Sequence, residues 1–112
     1  MEDKSRSVIN PKGMKVILID EYKKHILFRH PEVLPYSEII LPAVEKPDET
    51  YSDERGGLHA LKHIDDDHFL VVIYEVEENE DEGFIRTAYI INKRRKNRRY
   101  SELRSTKQQS ST

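Results

Sequence analysis

His25 and Arg29 stand four residues apart in the stretch HILFRHPE, with His30 and Glu32 directly after them. On a helix the first two share a face. It is not the face carrying Tyr22 and Ile26, so the pair lies beside the packed stripe and keeps access to solvent. An imidazole can take the proton of a ribose 2′-hydroxyl or give one to a leaving 5′-oxygen, while a guanidinium stabilises charge on the phosphate. RNA cleavage by this route requires no metal ion. The plainer reading is a polar helix edge, with both side chains tied to Glu21 or Glu32.

Two further groups bear on the same chemistry. In RTAYII, strand alternation puts Thr87 and Tyr89 on one face and Arg86 and Ala88 on the other. Two hydroxyls side by side can bind a phosphate or position a base, although both residues are also ordinary strand formers. In NKRRKNRRY, the cations Lys93, Arg94, Arg95, Lys96, Arg98 and Arg99 are followed by Tyr100. Such a patch gives sequence-independent affinity for nucleic acid, and a tyrosine beside it can stack on an unpaired base. A solvating tail, or a contact to an acidic partner, has the same composition. As a DNA-recognition helix the run is a poor fit, because little apolar spacing is left for a packed back face.

A metal site is not expected. His59 and His63 share a face in HALKHIDDDH, but a regular strand separates them by roughly 13 Å. Asp65, Asp66 and Asp67 read as a solvated turn. The chain has no cysteine, which excludes disulfides and thiolate chemistry. No phosphate-binding glycine loop and no nucleophile elbow occurs, and no cofactor is expected.

The elements that must position these residues follow from pattern. MKVILI is too short an apolar run for a helix and reads as a strand. A helix then begins at Asp20 and ends near His30, where Pro31 disfavours helical geometry. A second helix opens near Ser37 and closes before Pro47, with Pro42 forcing a kink or a late start. Beyond Thr50 come a short strand, a turn at the paired glycines 56 and 57, and the half-buried alternation LHALKHI. HFLVVIYEV, almost continuously apolar, is the best central strand, and FIRTAYII returns beside it as a hairpin. We expect an α+β fold, with two N-terminal helices packed on a small, about four-stranded antiparallel sheet and room for an extra N-terminal strand. Residues 1–13 read as a flexible leader, 14–92 as one domain, and 93–112 as a basic, partly disordered tail that includes a short helix.

The succession VILIDEYKKHILFRHPEV, EIILPAVEKPDETY, FLVVIYEV and GFIRTAYII resembles small bacterial and phage domains of the barnase–EndoU–colicin–RelE (BECR) nuclease superfamily. The RHPE and TAY pieces are its most distinctive parts, and the likeness runs from about Val16 to Ile91. It implies a toxin-like, metal-independent endoribonuclease leaving a 2′,3′-cyclic phosphate. His25 would be acid or base, Arg29 the phosphate binder, and Thr87 and Tyr89 the holders of phosphate or base, with His30 and Glu32 in support. RNA and a cognate inhibitor or antitoxin protein are the implied partners. The alternative is a catalytically inactive module of the same fold that binds nucleic acid or protein.

Bulk properties agree with one small domain. The 112 residues are 36% hydrophobic, which makes for a thin core. Residues 1–85 carry 10 Lys and Arg against 20 Asp and Glu, a net −10, whereas residues 86–112 carry 9 against 1, a net +8. A basic end on an acidic body points to a polyanion for that end. With no membrane-length apolar run and no signal-peptide pattern, a cytoplasmic protein with no membrane partner is expected.

Overall fold

The computed structural model describes residues 5–77 and 81–101. Six strands form one mixed sheet: β1 (Arg6–Ile9), β2 (Lys15–Leu18), β3 (Glu49–Ser52), β4 (Leu58–Asp65), β5 (His68–Val76) and β6 (Glu82–Asn92). Their order across the sheet is β1-β2-β6-β5-β4-β3. Helix α1 (Asp20–Arg29) follows β2, a 3₁₀ stretch (Pro31–Ile39) leads into α2 (Ile40–Glu45), and α3 (Lys93–Tyr100) closes the described chain.

The expected four-stranded antiparallel sheet with two N-terminal helices does not fit: the sheet is six-stranded and mixed. The antiparallel run β3-β4-β5-β6 is present, but β2 adds to β6 in parallel and β1 adds antiparallel to β2. The first helix follows two strands rather than opening the domain. Strand β1 lies in the segment read as a flexible leader, and a turn at Asn10–Gly13 makes it possible. Asn10 is buried, and its side-chain oxygen accepts from the backbone N–H of Lys12 and Met14 at 3.0 and 2.9 Å. Its amide donates to the Tyr74 hydroxyl of β5 at 3.1 Å, and Gly13 takes the positive φ of 86° that the turn requires.

Two cores lie on the two faces of the sheet. On one, Ile26 of α1, Val33, and Ile40, Ala43 and Val44 of α2 pack against Val16, Leu18, Ala60, Leu70, Val72, Ile85 and Ala88. Each fully buried Val, Leu or Ile stabilises by about 1.5–3 kcal/mol, so this face carries most of the hydrophobic driving force. Pro42 is the third residue of α2, a position whose N–H has no intrahelical partner to lose, so the helix starts late and does not kink.

The opposite face holds Tyr51, Leu61, Phe69, Val71, Ile91 and Tyr100, with Ile73 and Tyr89 alongside. Here α3 is the cover. A bulge where β5 passes from Ile73 to Tyr74 leaves Arg86 without a cross-strand partner, and Arg86 pairs instead with Glu75 at 2.8 Å. Beyond the bulge the regular register sets Thr87 opposite Ile73 and Tyr89 opposite Val71, on the face that α3 covers.

Candidate nucleic-acid interface

Helix α3 begins where β6 ends. Asn92 caps it by accepting from the Arg95 N–H at 2.8 Å, and the Lys93 N–H donates to the Asp67 carbonyl at 2.7 Å. Lys96 and Tyr100, four apart, turn inward. The Lys96 ammonium meets a Glu49 carboxylate oxygen at 2.6 Å, with both side chains largely buried, and lies 5.2 Å from the centre of the Phe69 ring. Glu49 also accepts from the Tyr51 hydroxyl. A basic run that seemed to lack a back face thus builds one from a lysine stem and a terminal tyrosine.

Tyr100 is buried, its ring stacked on Tyr51 at 4.4 Å between centroids. Its hydroxyl is 2.8 Å from Nδ1 of His59, whose Nε2 is 2.9 Å from Asp53. Burial, reinforced by the neighbouring Tyr89 phenol, holds the Tyr100 hydroxyl well above its ordinary pKa. It stays protonated and donates to His59, while His59 donates to Asp53. Burial pushes the Asp53 carboxyl up, but the His59 hydrogen bond and the N–H groups of Gly57 and Arg55 outweigh that, and its pKa is lowered.

With its inner flank fixed, α3 turns Arg95, Arg98 and Arg99 toward the outer side of β6. These three and Tyr89, Ile90 and Ile91 line a cleft of about 210 Å³, with no carboxylate among the described residues that line it. The Arg99 guanidinium spreads over the Tyr100 ring at 5.7 Å. Parallel pairing with β2 covers β6 only from Glu82 to Phe84, so among the described residues no strand pairs with Tyr89–Ile91 on the edge away from β5. The Tyr89 hydroxyl is buried and has no hydrogen-bond partner among the described residues. Its ring lies 6.0 Å from that of His30, which sits 3.5 Å from Glu32.

The residues singled out from the sequence divide accordingly. Tyr89, His30 and Glu32 are neighbours, and Arg95, Arg98 and Arg99 share the cleft with Tyr89. Lys93 and Arg94 are exposed at the start of α3. Lys96 is engaged by Glu49, and Tyr100 is spent inside the second core, where no base can stack on it. His25 and Arg29 are exposed on α1, and neither shares a hydrogen bond, ion pair or ring contact with Thr87 or Tyr89. Thr87 is half-buried opposite Ile73 and is not among the residues lining the cleft. Neither the Asp53–His59–Tyr100 chain nor the Lys96–Glu49 pair was read from the sequence. Their only signal was His59 on the inward side of the LHALKHI alternation.

A second cleft, of about 240 Å³, is lined by Arg6, Asp20, Lys23, Ser37 and Glu38 among others, and its two cations face two carboxylates. Among the described residues no helix is long and apolar enough to cross a membrane. The acidic turn at 78–80 and the tail beyond Ser101 lie outside the described residues. No protein-family model matches the chain, and no curated protein and no solved structure matches it.

Proposed function

We propose that this chain is an RNA-binding domain that cleaves its substrate without a metal ion, in the manner of the BECR nucleases it resembles. One observation carries the reading. His30 lies against Tyr89, and Tyr89 lines a cleft walled by three arginines, with no carboxylate among its described lining residues. A proton-transferring group beside a concentration of positive charge is what transfer at phosphorus needs. The 2′-oxygen would attack the adjacent phosphorus as a histidine takes its proton. The bond to the 5′-oxygen would break as that oxygen gains a proton, leaving a 2′,3′-cyclic phosphate and a 5′-hydroxyl. His30, directly after α1, is the histidine in ring contact with Tyr89; His25, with Arg29, is the second candidate, on the helix itself. With that activity would go an RNA partner, an inhibitor or antitoxin protein, and a cytoplasmic setting.

The exposure of His25 and its lack of a polar partner among the described residues favour one other reading, a binding module without catalysis. The two separate on mixed-sequence RNA incubated in EDTA with wild type, His25→Ala and His30→Ala at equal folded concentration. Cyclic-phosphate ends that vanish with His30→Ala and persist with His25→Ala assign the chemistry to the cleft. Loss with His25→Ala instead moves it to the outer face of α1. RNA bound and left intact by all three proteins leaves the binding module.

A further inference from the structure

We infer that the cleft between α3 and β6 is a discrete site for a phosphate monoester, the terminal phosphate of an RNA strand, and not merely part of a diffuse basic surface. The inference rests on the RNA reading above and adds the group recognised. Of the six cations of α3, Lys96 is neutralised by Glu49, and Lys93 and Arg94 do not line the cleft. The remaining Arg95, Arg98 and Arg99 line one cleft, and no carboxylate is among its described lining residues.

Three guanidiniums at spacings of three and four on one helix repel one another, and among the described residues none of the three is placed in an ion pair. A monoester offers up to two charges and three free oxygens to these planar donors. An internal phosphodiester offers one charge and two oxygens and must carry chain away on both sides. The seating of α3, through Tyr100 on His59 and Lys96 on Glu49, holds in place the helix that bears the arginines before any ligand arrives.

The test is fluorescence anisotropy with one short RNA sequence in three forms: hydroxyl at both ends, 5′-phosphate, and 3′-phosphate. Partners are the full chain, Arg98→Ala and Arg94→Ala, each checked for an unchanged melting curve. The expected result is at least about tenfold tighter binding of one phosphorylated form. That gap should collapse with Arg98→Ala and survive Arg94→Ala. Inorganic phosphate should compete with the phosphorylated strand and not with the hydroxyl form. If inorganic phosphate alone binds as tightly as the phosphorylated strand, the site stands and its source is free phosphate. Equal binding of all three forms overturns the site while leaving RNA binding intact, as does a gap that Arg94→Ala erases as fully as Arg98→Ala. Binding of none of the forms overturns the RNA reading itself.

Discussion

His59 uses both ring nitrogens, one toward Asp53 on the loop after β3 and one toward the last residue of α3. It is 2% exposed, so water cannot replace either bond. Truncation to alanine would leave a carboxylate short of a donor, a buried hydroxyl without an acceptor, and a hole between them. We expect His59→Ala to cost about 2–4 kcal/mol and Tyr100→Phe, which keeps the ring stacked on Tyr51, about 1 kcal/mol, both read from urea denaturation. The same chain gives a pH dependence. The Asp53 pKa is lowered by folding, so its contribution is present above the ordinary carboxylate value of 3.8 and is lost as pH falls through its lower folded value. Asp65, held down by the Asp67 N–H and by His68, acts in the same direction. Unfolding midpoints measured below pH 5 should fall with decreasing pH, and Asp53→Asn should flatten that limb. A limb equally steep in the variant would show that other carboxylates govern it.

At the scale of elements, what was legible in the sequence followed local rules. Pro31 marks the end of α1 next to His30, Pro42 delays α2, and the apolar run of β5 sets it centrally beside β6. What escaped depended on partners far along the chain. RSVI has too few apolar residues to announce a strand and becomes one because Asn10 folds it onto β2. The parallel pairing of β2 with β6 joins segments more than sixty residues apart, which no local pattern specifies. Tyr89 and the arginines were each readable as candidates, but not their meeting, because that depends on how α3 seats itself. The seat includes a nearly buried ion pair, and such a pair punishes the loss of one member more than of both. Lys96→Ala should therefore destabilise by about 3 kcal/mol, leaving the Glu49 carboxylate without its cation, whereas Lys96→Met with Glu49→Gln should recover much of that. Chemical denaturation of the two variants decides the matter. If the double variant is no better than the single, the lysine stem's packing matters more than its charge.

For the molecule as a whole, the separation of charge gives the last test. The body up to residue 85 is net −10 and the remainder net +8, so a strand of RNA is repelled over most of the surface and drawn to the α3 side. That directs binding without adding contacts, and it makes the number of phosphates engaged readable from salt. On single strands the logarithm of affinity falls with the logarithm of salt at a slope of about −0.7 for each phosphate neutralised. If only Arg95, Arg98 and Arg99 are engaged, the slope for a hydroxyl-ended RNA should lie near −2. Engagement of Lys93 and Arg94 as well should bring it to about −3.5. Arg94→Ala would reduce the steeper slope by about 0.7 and leave the shallower one untouched, so titrations from low to physiological salt on the two proteins tell how far the RNA path runs beyond the cleft. A slope near zero would mean that the acidic body cancels the basic helix at the distance of the ligand. The partner of α3 would then not be a polyanion.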